Sequence, residues 1–210
     1  MKNKITIFIL IIVVAVVAAL IGFYFVQKNR SPIDFVNNVA LPDQSGVNNQ
    51  VSAEQLQNKL VTDDFEITLP AGWRKTEPVM GASAMAINAN EQLSDPAAQK
   101  INFKSYMAVS YDTLQGKSLS EYSQSVKNQL SQAISNVVFA NEQDVMINGR
   151  SARAIEAELT QQGVNYKILM VVVTGKGDDV WVMSFNTLQS SWMGYQEVFS
   201  GIANSFNLKK

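Results

Sequence analysis

The chain has no cysteine and no histidine among its 210 residues, and these two absences remove a large part of enzyme chemistry. Without histidine there is no Ser-His-Asp or Cys-His catalytic system and no imidazole base. Without cysteine there is no thiolate metal site, iron–sulfur cluster or disulfide. The sequence also contains no nucleophile motif and no metal-ligand motif, so we expect a protein that is not an enzyme and that needs no cofactor or metal.

Positive charge is scarce outside the N-terminus. The 17 Lys and Arg against 18 Asp and Glu give the whole chain a net charge of −1. Residues 1–30 contain Lys2, Lys4, Lys28 and Arg30 and no acid, which leaves 13 bases and 18 acids, or −5, for residues 31–210. A nucleic-acid binder needs clustered Lys and Arg to neutralise phosphates. We therefore expect no nucleic-acid partner.

One long hydrophobic run is present, from Ile5 to Val26, and it contains no charged residue. As a helix rising about 1.5 Å per residue it would be about 33 Å long, enough to cross a hydrocarbon core of about 30 Å. We predict a transmembrane helix over residues 5–26, preceded by a short cytoplasmic tail, residues 1–4.

A cleaved signal peptide is the alternative for this segment, because Lys2 and Lys4 form a basic start and Val17 to Ala19 offers a small-residue cleavage site. Against cleavage, apolar residues continue to Val26, and the small-residue, polar region typical of a cleavage site does not follow the run. Bases flank both ends of the run, so the positive-inside comparison is close to a tie, and the short tail favours a cytoplasmic N-terminus. We therefore expect a single-pass signal anchor in the cell membrane, with the C-terminal domain outside the cytoplasm.

Two further regions follow the hydrophobic run. Residues 27–52 are rich in Asn, Gln, Ser and Pro, which predicts a flexible linker. Residues 53–210 are long enough to bury a core of their own and predict one domain. A short helix is expected from Ala53 to Leu60, with Ser52 as its N-cap.

Hydrophobic alternation within the domain predicts a series of short strands separated by turns. Residues 88–100 have the composition of an exposed loop. The dipeptide Asn148-Gly149 is the strongest hairpin signal, because both residues tolerate the positive φ of a type I′ turn. A second hairpin turns at residues 175–179. Strands are predicted at residues 65–69, 83–88, 101–111, 137–139, 144–147, 150–160, 164–174 and 180–185.

Two helices are predicted within this series. The first begins at a capping box formed by Ser118 and Glu121, and its apolar positions recur on one face. The second follows the apolar stripe from Trp192 to Phe206, with Ser190 or Ser191 as its cap. The sequence therefore predicts an α+β domain: an antiparallel sheet of about six to seven strands covered by two main helices.

Several of these features together resemble the PsbP-like family. They are the opening F-E-I-T-L-P-A-G-W at Phe65 to Trp73, the single amphipathic helix, the Asn148-Gly149 hairpin, and the closing I-A-N-S-F at Ile202 to Phe206. The resemblance covers roughly Val61 to Leu208. Members are small α/β/α sandwich proteins named for an extrinsic subunit of photosystem II, with many secreted or membrane-anchored bacterial relatives.

The resemblance implies a protein that binds other proteins or stabilises an assembly rather than an enzyme. It brings no catalytic residues to this chain. The metal-associated behaviour of the photosynthetic branch has no matching motif here, and the chain has no histidine. A shared fold does not by itself determine function.

Paired carboxylates are the remaining candidates for chemistry, since two facing acids can act as acid and base on a glycan. Adjacent acids at turns are usually solvated charges. Glu156 and Glu158 are two apart on a predicted strand and share its face, which we interpret as a solvent-exposed sheet face. The four pairs are Asp63 with Asp64, Glu142 with Asp144, Glu156 with Glu158, and Asp178 with Asp179.

Loops are the most plausible contact surfaces of an interaction module, because they tolerate change and carry recognition. We predict partner contacts in four places: the loop before residue 84, the 88–100 loop and the two hairpin turns. The predicted contact residues are Met80, Asn90, Asp95, Asn148, Gly149, Lys176, Asp178 and Asp179.

The leading functional hypothesis is a membrane-anchored, extracytoplasmic, non-catalytic module that binds or stabilises another envelope protein. A second hypothesis is a small-ligand or lipid carrier with an apolar pocket between the sheet and a helix. A third is a carboxylate-based hydrolase of envelope glycans. That third hypothesis requires two acids about 5–10 Å apart across a cleft.

Overall fold

The computed structural model describes residues 59–79 and 81–209. The predicted cytoplasmic tail, transmembrane helix and linker lie outside the described residues, as do residues 53–58 of the predicted short helix and the predicted contact residue Met80. Within the described ranges, no helix combines the length and the apolar character that a bilayer crossing requires.

The described residues form runs of consecutive strands that are interrupted by three α-helices. The helices are α1 (Pro96–Lys100), α2 (Leu119–Ala133) and α3 (Trp192–Asn204). The strands are β1 (Lys59–Val61), β2 (Phe65–Thr68), β3 (Trp73–Thr76), β4 (Ala84–Asn88), β5 (Tyr106–Thr113), β6 (Val138–Ile147), β7 (Arg150–Gln161), β8 (Val164–Thr174), β9 (Asp179–Leu188) and β10 (Asn207–Leu208).

These strands form two antiparallel sheets. The larger has seven strands in the order β3-β4-β5-β9-β8-β7-β6, and the smaller has three in the order β1-β2-β10. Strands β6 to β9 are consecutive hairpins, so their turns alternate between the two ends of the large sheet. The expected α+β class and the expected antiparallel sheet of about six to seven strands are confirmed.

Each face of the large sheet is covered by its own hydrophobic cluster. One cluster packs under α1 and α2 through residues such as Tyr122, Val126 and Leu130. The other packs under α3 through Phe199 and Ile202, and it extends beneath the small sheet. Strands β8 and β9 lie in the middle and are buried on both faces, which explains their nearly continuous apolar sequences.

The capping box predicted for α2 is present. The Ser118 hydroxyl accepts from the Glu121 backbone N–H, and the Glu121 carboxylate accepts from the Ser118 N–H. For α3 the predicted cap position is correct, but the capping hydrogen bond is absent. Ser191 occupies the N-cap position, but its side chain makes no capping hydrogen bond, because a 3-10 turn over Gln189–Ser191 leads directly into the helix.

Several predicted boundaries are also wrong. Residues 101–105 do not join β5, and the predicted loop before them contains α1, which the Asp95 side chain caps. Lys59 and Leu60 belong to a strand rather than to the predicted helix. The two short strands predicted at residues 137–147 are one strand, β6, interrupted by an irregularity between Ala140 and Glu142.

Candidate binding cleft beside the C-terminal helix

Helix α3 covers only part of its sheet face, and a cleft of about 250 Å³ remains between the helix and strands β6, β7 and β8. The strands contribute mainly apolar side chains, whereas the helix contributes mainly polar ones. The strand residues are Gln143, Val145, Ile147, Ala154, Glu156, Leu169 and Val171; the helix residues are Trp192, Gln196, Ser200, Ala203 and Asn204.

Period-two alternation explains why the cleft has an apolar floor. Along β7, Ala154 belongs to the cluster on the α3 face, whereas Ile155 belongs to the cluster on the opposite face. On β6 the same alternation places Val145 and Ile147 on the α3 face, where both contact that cluster. The helix presents Gln196 and Ser200 one turn apart on the other wall.

A buried ammonium group lies beside one end of the cleft, next to the lining residues Glu156 and Trp192. The Lys167 Nζ lies 3.0 Å from a Glu156 carboxylate oxygen and 2.8 Å from a Glu158 oxygen. It also lies 5.3 Å from the centre of the Trp192 ring, within the range of a cation–π contact. The Lys167 side chain is only 7% exposed. These four residues therefore form a fixed charged end to the cleft.

The two carboxylates hold Lys167 in its charged form. Burial alone lowers the pKa of Lys167, but the hydrogen bonds to Glu158 and Glu156 outweigh burial, so the pKa is raised. The other Glu158 oxygen accepts from the Gln189 side-chain amide at 2.9 Å, which links β7 to the 3-10 turn before α3. The cluster of two acids and one base carries a net charge of −1.

Glu156 and Glu158 share one face of β7, as predicted, but the face is not simply solvent-exposed. Both carboxylates contact the same ammonium, and Glu156 is only 13% exposed. The space between them is occupied by Lys167, whereas a glycosidase needs room for the scissile bond between its two acids. This pair therefore lacks the open geometry of the hydrolase hypothesis.

A second polar cluster surrounds the buried carboxylate of Glu91, near the N-terminal end of α3. Glu91 accepts hydrogen bonds from the Ser105 hydroxyl and the Tyr195 hydroxyl, each at 2.7 Å, and from the Ser105 backbone N–H. The Ser105 hydroxyl also contacts the Thr187 hydroxyl at 2.7 Å. Burial raises the pKa of Tyr195 to about 12, so its hydroxyl stays protonated as a donor. The cluster ties the 89–105 segment to β9 and α3.

Sequence reasoning missed both clusters. Glu91 lies in a polar segment that predicts a solvated loop, and its partners are more than ten residues away along the chain or in other elements. Lys167 is a single charge among the apolar residues of β8. That interruption of a buried strand was the one available signal, because a lysine there needs acidic partners.

The predicted contact residues fall at opposite ends of the large sheet. The β6–β7 turn, Asn148-Gly149, and the β8–β9 turn containing Lys176 and Asp178 lie at the same end, since the hairpin turns alternate. Arg150 confirms their proximity, because its guanidinium donates to the Gly175 carbonyl at 2.7 Å. The loop with Asn90 and Asp95 lies near the Glu91 cluster, at the other end.

Structural roles account for most of these side chains. Asp178 accepts from the backbone N–H groups of Gln115 and Gly116, at 2.8 and 3.2 Å, and so anchors the loop before α2. Asp179 accepts from the Tyr111 hydroxyl at 2.7 Å. These two acids therefore hold the turn and the neighbouring loop in place.

The other predicted residues also make local contacts. The Asn148 amide donates to the Phe206 carbonyl at 2.7 Å, beyond the C-terminus of α3, and Gly149 follows it with a φ of 77°. Asp95 caps α1 by accepting from two backbone N–H groups. The Asn90 backbone N–H donates to the Asn88 side chain at 3.2 Å. Their role as partner contacts stays a prediction.

Neither a metal centre nor a membrane span is found in the described part of the chain. No three acidic side chains among residues 59–79 and 81–209 gather closely enough to hold a metal ion. The opposite side of α3 carries a wide, shallow depression that is lined by α3 and by the segment from the end of β2 to Pro70, mainly through apolar and small residues such as Leu69, Val198 and Ile202.

Comparison with solved structures gives neighbours at low sequence identity. LpqN of Mycobacterium tuberculosis, described as involved in cell envelope biogenesis, is 14% identical and covers 79% of this chain and 100% of its own, with a TM-score of 0.53. A Pseudomonas aeruginosa protein of unknown function is 13% identical, covers 72% and 96%, and has a TM-score of 0.48. The cyanobacterial PsbP of Synechocystis sp. PCC 6803 is 15% identical, covers 80% and 99%, and has a TM-score of 0.49.

The likeness to LpqN, whose fold is PsbP-like, confirms the fold expected from the sequence. At this level of identity the likeness concerns the fold alone. No protein-family model matches the chain, and no curated protein sequence matches it.

Proposed function

We propose that this chain is a non-catalytic module that binds a partner protein through the cleft between α3 and strands β6 to β8, and that its N-terminal helix holds it on the outer side of the cell membrane. The binding part of this proposal rests on the lining of the cleft. It combines an apolar floor with amide and hydroxyl groups on the helix wall, and such a lining suits a polypeptide.

The size of the cleft favours a protein partner over a small-ligand carrier. Sites for small molecules and cofactors usually occupy about 300–1,000 Å³ and enclose most of the ligand. The cleft offers about 250 Å³ and is partly open to solvent. It has room for one or two side chains of a partner, with the rest of the partner outside.

The membrane setting of the proposal is supported by sequence and by one neighbour. The run from Ile5 to Val26 has the length and composition of a spanning helix. LpqN, which shares the fold, is described as involved in cell envelope biogenesis. A protease added to intact cells should therefore digest the folded domain, whereas protection from the protease would contradict the proposed orientation.

Chemical crosslinking in intact cells tests the binding role. The full-length chain is compared with Ser200→Trp, which places a large ring at the exposed rim of the cleft, and with Gln124→Trp, an exposed substitution on α2 at the other face of the sheet. We expect a stoichiometric partner to be recovered from the wild type and from Gln124→Trp, and to be reduced at least tenfold from Ser200→Trp.

Two results would contradict the proposal. Equal recovery from the two variants would remove the cleft from the interaction. Absence of any crosslinked protein, together with a bound small molecule detected by native mass spectrometry, would favour the carrier hypothesis instead.

A further inference from the structure

The outer edge of the large sheet, next to the cleft, is formed by β6. This strand has ten residues, and within residues 59–79 and 81–209 it pairs only with β7. Among the described residues, its backbone groups make no hydrogen bonds apart from that pairing. Edge strands with free backbone groups accept an added strand from another chain, unless charges, bulges or a covering segment prevent it.

The hairpin geometry identifies the free groups. Asn148 and Gly149 have φ values of 47° and 77°, as a two-residue type I′ turn requires, so Ile147 and Arg150 form the hydrogen-bonded pair that closes the turn. Hydrogen-bonded and non-bonded pairs alternate along antiparallel strands. The backbone N–H and C=O groups of Met146, Asp144 and Glu142 therefore point away from β7.

The usable edge is short. Asn141 has a φ of 23°, and the register shifts between Ala140 and Glu142, so regular pairing could extend only over Glu142–Ile147. At about 3.4 Å per residue this segment is about 20 Å long. It would accept about six residues of an added strand.

Side chains on the two faces of this edge define the chemistry of the added strand. On the α3 face, Val145 and Ile147 contribute to the cleft floor, so an added strand would place an apolar side chain over the cleft. On the α2 face, Met146 is 61% exposed, and the Asp144 side chain is 79% exposed even though one of its carboxylate oxygens lies 3.2 Å from the Arg153 guanidinium. A basic side chain opposite Asp144 would complement its charge.

We infer that the edge Glu142–Ile147 binds an extended segment of the partner protein, with a basic residue opposite Asp144 and an apolar residue in the cleft. The inference rests on the proposed function and names the partner's chemistry. A second copy of this chain fits less well. The edge Glu142–Ile147 contains no Lys or Arg, so pairing of two copies over this edge puts no basic residue opposite Asp144. Antiparallel self-pairing sets Asp144 against Asp144, Glu142 or Met146 when it is centred on Asp144, Gln143 or Val145.

The test uses a photo-crosslinking amino acid at Gln143, an exposed cleft residue, in the full-length chain in cells. In this background Met146→Pro removes one outward N–H, and Met146→Ala is its matched control. Proline is tolerated on an edge strand where its missing N–H faces outward. We expect the partner crosslink to fall about fivefold or more with Met146→Pro and to change less than twofold with Met146→Ala.

A charge comparison keeps the test decisive if proline destabilises the domain. Asp144→Lys should reduce the crosslink more than Asp144→Asn does, and the crosslinked partner peptide should contain Lys or Arg. Equal yields from Met146→Pro and Met146→Ala in folded protein would overturn the inference. So would equal yields from Asp144→Lys and Asp144→Asn, or a crosslink to a second copy or to residues 1–58.

The outcomes also separate this inference from the proposed function. If Ser200→Trp abolishes the crosslink while Met146→Pro does not, the cleft binds the partner and the edge does not. If no partner is crosslinked from Gln143 in the wild type, the inference fails. The proposed function would still stand if the chemical crosslinking recovered a partner whose yield falls with Ser200→Trp but not with Gln124→Trp.

Discussion

Replacement of Lys167 by methionine gives the sharpest test of the charged end of the cleft. The substitution keeps most of the apolar stem and removes the ammonium group. Glu156 then loses a partner at 3.0 Å while its own carboxylate is only 13% exposed. Removing one member of a buried ion pair costs about 3–5 kcal/mol.

The other contacts of Lys167 add less. Glu158 is 40% exposed, so solvent screens its pair with the ammonium and the pair contributes less than about 1 kcal/mol. The contact with Trp192 is worth about 0.5–1 kcal/mol. Glu156 can recover some hydration at the cleft, which reduces the total. We expect Lys167→Met to lower the free energy of unfolding by about 3 kcal/mol.

The assay is denaturant unfolding of the full-length chain at neutral pH, monitored by tryptophan fluorescence. The slope of the unfolding free energy against denaturant concentration should be the same for the wild type and the variant. Lys176→Met, at an exposed lysine of the β8–β9 turn, is the matched control and should change stability by less than about 0.5 kcal/mol. Adding Glu156→Gln to Lys167→Met should recover part of the lost stability, since it removes the carboxylate that Lys167→Met leaves without its ammonium partner.

The pH dependence has a definite sign. The pKa of Lys167 is raised in the folded state, so its contribution is complete below the ordinary lysine value near 10.5 and is lost as the pH rises above it. The difference between wild type and Lys167→Met should therefore shrink above about pH 10.5. A destabilisation below about 1 kcal/mol at neutral pH would refute the reasoning.

Three further substitutions test other parts of the fold by the same unfolding measurement. Asn186 is fully buried, and both of its side-chain polar atoms lack a hydrogen-bond partner within the described residues. Asn186→Leu should therefore raise the free energy of unfolding by about 1–3 kcal/mol, and a loss of stability would contradict this. Ser118→Ala removes the α2 cap and should lower the free energy of unfolding by about 1 kcal/mol. The control Ser120→Ala should lower it by less than half of that, and equal losses would be inconsistent with the cap. The hydrogen bond from Lys127 holds the pKa of Glu142 below its usual value near 4.5. The wild type should therefore lose more stability than Glu142→Gln as the pH falls below about 4.5. Parallel curves of stability against pH for the two proteins would argue against this ion pair.

Much of the fold could be predicted because local signals and tertiary packing agree. The S-x-x-E capping box marked the start of α2, and the Asn148-Gly149 dipeptide located the β6–β7 turn to the residue. Strands β8 and β9 were visible as apolar runs because both of their faces are covered. In these places sequence period, turn chemistry and burial lead to the same structure.

Other elements could not be predicted because they depend on distant partners. Strands β1 and β10 are only two or three residues long, and their position depends on pairing with β2. Residues 101–105 are apolar enough to suggest a strand, but Phe103 packs against Tyr166 instead. The irregularity in β6 falls at Asn141, within a polar stretch that gave no sign of one continuous strand.

The candidate site was the least visible from sequence. Loops were the natural prediction for partner contacts, yet Asp95, Asp178 and Asp179 each make hydrogen bonds that hold the fold together. The cleft arises because α3 crosses only part of a wide sheet. That relation joins residues from four elements and has no local signature.

The measurement that tests the central claim most directly is photo-crosslinking of the full-length chain in cells from two positions, Gln143 at the cleft and Gln124 on α2. Both side chains are exposed, and they lie on opposite faces of the large sheet. The account predicts one defined protein partner from Gln143 and none from Gln124. A partner captured equally from both positions, or from Gln124 alone, would contradict the claim that the cleft beside α3 is the binding site.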